Sequence, residues 1–139
     1  MNDINEWNRQ VIEEFRANAG EVKGVFTGIP LVILHNVGAK SGETRLNPLA
    51  YQQLDEGVAI FGSMGGSPKN PAWFHNILAN PKVTLEFGDR TVEAVARVVT
   101  GDERSRIWEK QKVDQPQFAE YEKKADRQIP VVVLEPLAA

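Results

Sequence analysis

Hydrophobic and polar positions at the start of the chain follow a helical period. Five apolar residues recur every three or four positions: Ile4, Trp7, Val11, Ile12 and Phe15. Charged side chains fill the intervening positions, which predicts an amphipathic helix that ends near Asn18–Gly20. Its polar face is mixed in charge and slightly acidic, so we expect it to dock onto the body of the protein rather than bind an anionic membrane surface.

Beyond Pro30 the pattern changes to short apolar runs bounded by turn residues. The run LVILHNV (31–37) predicts a buried strand, and TRLNPLAYQQL and VAIFGS predict a hairpin around Asp55–Gly57. KVTLEF and RTVEAVARVV flank Gly88–Asp89, the strongest hairpin signal in the chain. The second arm of this hairpin alternates apolar residues with more exposed ones: Val92, Ala94, Ala96 and Val98. IPVVVLE predicts a final strand.

Three further helices are predicted between these strands. Asn70 as N-cap and Pro71 as first helical residue would start AWFHNILA, which stops at Asn80–Pro81. Thr100 and Glu103 fit a capping box that opens a helix through about Lys112. Pro116 then restarts a helix that runs to about Ala125.

The predicted order is helix, three strands, helix, two strands, paired helices, strand. Strands joined by tight turns cannot be parallel, which excludes a doubly wound nucleotide-binding fold. We therefore predict an α+β, mainly β, protein: a split antiparallel β-barrel with flanking helices, which hides strand edges. We expect one domain, in which residues 1–20 form an N-terminal helix and residues 21–139 form the barrel.

Composition narrows the class of protein. The 139 residues are 42% hydrophobic and 25% charged and contain no cysteine, no signal-peptide pattern and no run long enough to span a membrane. A cytoplasmic protein without an integral membrane segment is expected. The net charge of −3 argues against a nucleic-acid binder. His35 and His75 lack partners at zinc-ligand spacing, so no metal site is predicted, and His35 is interpreted as a hydrogen-bonded core residue.

The segment GAKSGETR (38–45) has the composition of an anion-binding loop. It combines two glycines, two hydroxyl residues and two cations directly after a strand, so backbone N–H groups, an ammonium and a guanidinium could meet one anion. Its glycine spacing differs from that of a P-loop, and a strand follows it rather than a helix. An ordinary β-turn with solvated Lys40 and Arg45 is the alternative.

A second glycine-rich segment, SMGGSPK (63–69), leads into the short helix that starts near Pro71. A glycine loop and a helix N-terminus both favour a bound anion, and no acidic residue occurs between Glu56 and Glu86. A flexible connector is the alternative. Trp73 on that helix could stack on a planar ring or belong to the core.

No Ser-His-Asp pattern or paired carboxylates are evident, so a hydrolase has no support. Tyr51 and Tyr121 are available as hydrogen-bond donors, although Tyr121 also fits an amphipathic packing position. A redox cofactor that carries the chemistry itself fits this shortage of catalytic groups.

Three long segments resemble a known family. LVILHNVGAKSGETRLNPLAY, FGSMGGSPKNPAWFHNILANPKV and FAEYEKKADRQIPVVVLEP are similar, in this order and spacing, to the deazaflavin-dependent nitroreductase family of actinobacteria and archaea. The resemblance covers nearly the whole chain from about residue 31. It implies a split β-barrel of the FMN-binding type and coenzyme F420 (8-hydroxy-5-deazaflavin) as cofactor. The ring of this coenzyme carries a hydride, and its ribityl phosphate continues into a lactyl-oligoglutamate tail.

The resemblance also implies where the cofactor would bind. The phosphate and tail would be held by Lys40, Ser41, Arg45 and Lys69, and the groove would be lined by Asn47 and Pro48. The ring would lie against Met64, Gly65 and Gly66. The pocket would be supported from the helix by Trp73 and Asn76.

The implied activity is hydride transfer from reduced coenzyme F420 to an electron-poor small molecule such as a quinone, enone or nitroaromatic. Tyr51 and Tyr121 resemble tyrosines on the substrate side of the family's pocket. Tyr121 or Ser63 would polarise or protonate the acceptor. Two alternatives stay open: an FMN-dependent oxidoreductase of the same fold, and a protein that carries the deazaflavin without turnover. A homodimer is plausible.

Overall fold

The computed structural model describes residues 3–137, within which the predicted order of elements is confirmed. The helices are α1 (Asp3–Ala17), α2 (Ala72–Ala79), α3 (Gly101–Asp114) and α4 (Gln117–Ala125). The strands are β1 (Leu31–Val37), β2 (Thr44–Gln53), β3 (Val58–Phe61), β4 (Lys82–Glu86), β5 (Thr91–Val98) and β6 (Val131–Pro136). The predicted segments 1–20 and 21–139 include Met1, Asn2, Ala138 and Ala139, which lie outside the described residues, as does the burial of Ile4.

The six strands close into one antiparallel barrel, in the order β1–β2–β3–β6–β5–β4. β4 pairs back onto β1, with Leu34 opposite Leu85. Closure gives both edges of every described strand a hydrogen-bonding partner, which removes the unpaired backbone groups of an open sheet. The predicted antiparallel barrel with flanking helices is thereby confirmed.

Barrel closure explains why β1 and β6 are continuous apolar runs. In β1, Val32 and Leu34 face the barrel interior, while Leu31 and Ile33 belong to a cluster beneath α1. In β6, Val132 and Leu134 face the interior and Val131 and Val133 pack toward α3 and α4. Successive side chains of a strand point to opposite faces, and in these two strands both faces are buried. An alternation of apolar and polar residues would therefore place polar side chains in the core.

The helices cover different parts of the barrel. α1 buries Val11, Ile12 and Phe15 over the outer face of β1. α2 inserts Trp73 and Ile77 into the interior cluster, which brings the polar residues of the same short helix to the rim of the barrel. No helix among the described residues is long and apolar enough to cross a membrane.

One predicted N-cap, Asn70, is wrong, whereas Thr100 is the N-cap of α3 as predicted but without the side-chain bonds of a capping box. α2 begins at Ala72 with Pro71 in the N-cap position, because the side-chain oxygen of Asn70 accepts a hydrogen bond from Arg127 at 2.6 Å instead. At the start of α3, the carboxylate of Glu103 accepts two bonds from Arg97, at 2.9 and 3.0 Å, instead of the bond from the Thr100 amide that a capping box requires. Asn70 and Glu103 thus each bind an arginine from another element rather than a group of their own helix.

The buried alternation in β5 holds only in part. Ala94 is fully buried, whereas Val98 is 40% exposed and Val99 is buried in its place. Val98 is the last residue of the strand, where the ladder ends and the side chain no longer faces the interior.

The β4–β5 turn packs directly against the end of α1. A Cβ atom on Gly88 would lie 2.0 Å from the carbonyl oxygen of Ala19, and one on Gly20 would lie 2.9 Å from Gly88 Cα. Such distances are far inside van der Waals contact, so only glycine permits this approach.

Candidate functional site

A groove of about 1200 Å³ lies between α1, the loop after β1 and the start of α2. Six of the predicted cofactor-binding residues line it: Lys40, Ser41, Arg45, Asn47, Trp73 and Asn76. The remaining predicted residues lie outside its lining: Pro48, Met64, Gly65, Gly66 and Lys69, with Tyr51, Ser63 and Tyr121. The structure therefore brings the first predicted loop and the short helix together, and the glycine loop precedes that helix directly.

The loop after β1 is a closed turn. The amide of Gly38 donates to the carbonyl of Glu43 at 2.8 Å, and that of Gly42 donates back to the carbonyl of Gly38 at 3.0 Å. The hydroxyl of Ser41 accepts a bond from the Glu43 amide at 3.2 Å and would meet a Cβ on Gly38 at 2.5 Å. Because a hydroxyl can accept and donate at once, Ser41 shapes the turn and still has a proton to offer.

A network of side-chain amides fixes this loop against the barrel and α2. The Ala39 amide donates to Asn76 Oδ1 at 3.0 Å, and Asn76 Nδ2 donates to Asn36 Oδ1 at 2.8 Å. Asn36 Nδ2 donates to Asn47 Oδ1 at 3.0 Å and to the Arg45 carbonyl at 3.2 Å. Asn36 is fully buried and was missed in the sequence because it lies in an apolar run.

Cations outnumber carboxylates in the lining of the groove. Four cations from α1, the loop after β1 and β2 line it, together with one carboxylate, Glu13: Arg9, Arg16, Lys40 and Arg45. Arg9 pairs with Glu6 and Glu13, and Arg16 pairs with Glu86, so Lys40 and Arg45 are the better candidates to bind an anion. The Arg45 guanidinium lies 3.3 Å from Glu43, and both side chains are more than half exposed, so water and salt weaken this pair and it can exchange partners readily. Such a groove can bind an anion through charge-assisted hydrogen bonds.

The second predicted loop contains a left-handed turn. Met64, Gly65 and Gly66 have φ values of 46°, 63° and 89°, and Met64 follows Ser63, whose backbone is right-handed. The hydrogen bonds of the turn come from the amides of Gly66 and Ser67, so those of Met64 and Gly65 take no part in it. Right-handed then left-handed residues point successive N–H groups into one concavity, which suits an anion or a carbonyl oxygen.

Arg127 ties this loop together, a role that the sequence analysis missed. Its Nε donates to the carbonyl of Ser67 at 3.1 Å, and its Nη2 donates to those of Gly62 and Lys69 at 3.0 and 2.9 Å. Nη1 donates to Asn70 Oδ1 at 2.6 Å. Burial lowers the pKa of Arg127, but a guanidinium stays charged at any relevant pH. No local pattern marks a lone arginine after a helix as a partner for residues about 60 positions earlier.

The three candidate hydrogen-bond donors have different surroundings. Ser63 is buried at the start of the turn, and its side chain does not cap it. Tyr121 is half-buried on α4, which packs against the turn, and its ring meets Phe118 edge-on at 5.2 Å. Tyr51 packs against the interior cluster and meets Phe87 at 5.5 Å.

Two other interpretations are resolved by burial. Trp73 is 4% exposed and belongs to the interior cluster, so its role in the core is confirmed. His35 is hydrogen-bonded as predicted, with Nε2 at 2.9 Å from Glu86 Oε1, but its side chain is 26% exposed and lies at the margin of the core. Glu86 also accepts two bonds from Arg16 of α1, at 2.8 and 2.9 Å. This ion pair anchors one wall of the groove.

The Arg16–Glu86 pair predicts a pH-dependent stability. The Arg16 guanidinium, assisted by His35, lowers the pKa of Glu86 from 4.5 to about 2. A lowered carboxyl pKa stabilises the folded protein above the unfolded value, and the contribution is lost as pH falls from about 4.5 toward 2. We expect Glu86→Gln to reduce the free energy of unfolding at pH 7 by about 1 to 2 kcal/mol in urea titrations, and this difference to vanish near pH 2.

Glu56→Gln, in the exposed β2–β3 turn, is the control and should change stability little at any pH. A Glu86→Gln deficit that stayed the same from pH 7 to pH 2 would contradict a role for the ionised carboxylate.

Comparison with known proteins identifies a family. The family model described as F420H(2)-dependent quinone reductase matches residues 7–136. An F420H(2)-dependent quinone reductase of Mycobacterium tuberculosis is 31% identical over 124 residues, which cover 86% of this chain and 83% of that protein.

Solved structures agree with the sequence match. A structure described as an F420-H2 dependent reductase (FDR-A) superposes with a TM-score of 0.70 at 39% identity, over 76% of this chain and 94% of that chain. A second structure, described as a domain-swapped dimer, has a TM-score of 0.71 at 34% identity, over 95% and 96% of the two chains. The heme storage protein HutZ of Vibrio cholerae, at 16% identity and a TM-score of 0.60 over 95% of this chain and 92% of that chain, shares the fold alone.

Proposed function

The chain belongs to the F420H(2)-dependent quinone reductase family, and we propose on that premise that it reduces a quinone-type acceptor with reduced coenzyme F420. The observation that carries the proposal is the cation-lined groove, which collects six residues expected to contact this coenzyme. FMN, the alternative cofactor, would also bring a phosphate, but the family match favours the deazaflavin.

The residues present fit the two ends of this coenzyme. Its phosphate and glutamates are anionic, and Lys40 and Arg45 line an open groove of about 1200 Å³. Its ring has a carbonyl edge that accepts hydrogen bonds, and the Met64 and Gly65 amides are not used by their own turn. We propose that the tail lies in the groove and that the ring lies against Met64–Gly66, with Lys69 near the phosphate.

When bound, the reduced deazaflavin supplies a hydride to the acceptor. The protein's own contribution is orientation and electrostatics, which can account for most of the rate when reacting groups are held in contact. Lys40 and Arg45 bind the tail and set its position. The amide network through Asn36 holds the segment that carries them in place, and Trp73 closes the barrel beneath the site.

Ser63 and Tyr121 are the proposed proton or hydrogen-bond donors to the acceptor oxygen. They lie on the glycine turn and on α4, two elements in contact with one another. Reduction of a quinone places negative charge on oxygen, which a hydroxyl donor stabilises. Tyr51 is the weaker candidate, since its ring packs into the interior cluster.

The test begins with a titration of the purified protein with oxidised coenzyme F420, monitored by fluorescence and repeated at several salt concentrations. We expect saturable binding that weakens with salt, because exposed ion pairs are screened. Steady-state oxidation of the reduced coenzyme by a soluble naphthoquinone should then show turnover that saturates in both substrates.

The outcomes separate the alternatives. Saturable binding without oxidation, across a panel of quinones, enones and nitroaromatics, would favour the carrier interpretation. Tight binding of FMN, with none of the deazaflavin, would overturn the cofactor assignment.

We also propose that the chain can form a homodimer. The neighbour described as a domain-swapped dimer covers 95% of this chain, which supports the proposal. Sedimentation velocity over a wide concentration range tests it, and a single species of monomer mass throughout would contradict it.

A further inference from the structure

We propose that Arg127 is a positioning residue that sets the glycine turn in the conformation that receives the redox ring. This inference rests on the proposed function, since it assigns the turn to the ring. Arg127 itself would touch neither the ring nor the tail.

The argument begins with the side of the loop that Arg127 contacts. Every bond that it donates to the loop backbone ends on a carbonyl oxygen, at Gly62, Ser63, Ser67 or Lys69. The contact with Ser63 is long, at 3.4 Å. Arg127 therefore binds the acceptor side of the loop and leaves the N–H side to face elsewhere.

Peptide planarity turns these contacts into an orientation. In a trans peptide the carbonyl and the following N–H point in opposite directions. The carbonyl of Gly62 points at Arg127, at 3.0 Å, so the amide of Ser63 points away from it. The carbonyl of Ser63 accepts a bond from the Gly66 amide at 2.9 Å, and the Arg127 contact at 3.4 Å adds to that bond in keeping the Met64 amide on the opposite side. Ser63 is the right-handed residue of the turn described above, so its amide precedes that of Met64 in the concavity and the guanidinium helps to aim both away from itself.

The bonds also restrain a loop that is rich in glycine and therefore has little conformational preference of its own. Glycine has the largest conformational freedom of any residue, and the turn includes Gly65, Gly66 and a left-handed Met64. Arg127 joins Gly62 at one end of the loop to Asn70 at the other. The loop therefore loses its conformational entropy when the protein folds, and the ligand does not have to order it on binding.

The end of α4 places the guanidinium. Asp126, directly after the helix, has left-handed backbone angles of 53° and 40°, and this turn directs the next residue back toward the loop. The same helix supports the turn from behind, since a Cβ on Gly66 would lie 3.0 Å from the side chain of Lys124.

Only a guanidinium fits this set of acceptors. Its planar fork carries five N–H donors, whereas lysine offers one nitrogen and a point charge. The bonds from Nε, Nη1 and Nη2 to loop oxygens occupy four of the five N–H groups of Arg127, so the bidentate fork that a tail carboxylate would require is already taken. These geometric facts separate its role from that of Arg45.

The test uses two probes: oxidised coenzyme F420 and its deazaflavin nucleoside, which lacks phosphate and glutamates. We expect Arg127→Met and Arg127→Lys to weaken both ligands by the same factor, about tenfold. The salt dependence of F420 binding should stay as in the wild type, because no cation that contacts the tail is lost. Arg45→Ala should do the reverse, with a lower salt dependence and unchanged nucleoside binding.

Amide NMR spectra of the ligand-free variants give a readout independent of activity. Resonances of Ser63, Met64 and Gly65 should move or broaden, while those of Ala39 and Ser41 stay in place. Arg97→Met is the matched control: this arginine also bonds several oxygens, those of Glu103 and Glu135, but away from the loop.

Two results would overturn the proposal. Unchanged nucleoside affinity in Arg127→Met would leave Arg127 with a structural role alone, and a reduced salt dependence would make it a tail contact. If Arg127→Met does not fold, Arg127→Lys and Asn70→Ala decide by the same criteria. Failure of wild-type protein to bind either probe would refute the proposed function instead, which keeps the two claims distinguishable.

Discussion

Replacement of Arg45 by alanine is expected to weaken the binding of oxidised coenzyme F420 by about 10- to 100-fold, the range for loss of a charge-assisted hydrogen bond to an anion. Arg45 lines the groove, its side chain is 55% exposed, and its partner Glu43 is more exposed still. The free protein therefore loses little stability when the side chain is removed. Fluorescence titration measures the effect, and the slope of log Kd against log salt should decrease with it.

Arg90→Ala is the control for charge. Arg90 is 56% exposed and pairs with Asp89 in the same manner, but it lies on the β4–β5 turn outside the lining of the groove. It should leave the affinity within about twofold of the wild type, since long-range charge effects are screened. Tyr121→Phe should also bind nearly normally. Equal losses in Arg45→Ala and Arg90→Ala would reduce the effect to net charge and contradict a specific tail contact.

Asn36→Leu is expected to have the second-largest effect, on stability and binding together. Asn36 is fully buried and bonds Asn47, Asn76 and the Arg45 carbonyl. Leucine has the same branching and the same number of side-chain heavy atoms but leaves these groups without their partner, and each buried polar group left unpaired costs about 1 to 3 kcal/mol. We expect a loss of about 2 to 3 kcal/mol in urea unfolding and roughly tenfold weaker F420 binding, because the loop that carries Lys40 loses its anchor.

Asn80→Leu makes the same chemical change nearby. Asn80 is half-buried, and its side chain makes one long bond, to the Val37 carbonyl at 3.3 Å. It should cost less than about 1 kcal/mol and leave the affinity unchanged. A similar loss of affinity in both variants would show that the groove responds to general destabilisation rather than to the network through Asn36.

The fold could be predicted from the sequence because its determinants are local. Gly88–Asp89 and Asp55–Gly57 specify tight turns, and tight turns require antiparallel neighbours. The apolar runs of β1 and β6 indicated full burial. Helix caps were less predictable, since Asn70 and Glu103 each have a tertiary partner that no local pattern contains.

The candidate site could be predicted from the sequence only where its residues lie within one continuous segment. Lys40, Ser41 and Arg45 were accessible because they share eight positions with two glycines. Asn36 and Arg127 were not, because each acts through partners on other elements and resembles an ordinary residue in its own segment. Groups that bind a ligand tend to cluster along a chain, whereas groups that hold such a cluster in place are brought to it by the fold.

The contact of Gly88 with Ala19 and Gly20 has a consequence for engineering this protein. The β4–β5 turn is short and exposed and would normally be chosen for an insertion or a fusion partner. Here an added segment would displace the end of α1, because Gly88 is packed against Ala19 and Gly20. This helix forms one wall of the groove. Asp55 and Glu56 are exposed in the β2–β3 turn and lie outside the lining of the groove, so a tag inserted between them should leave cofactor binding intact.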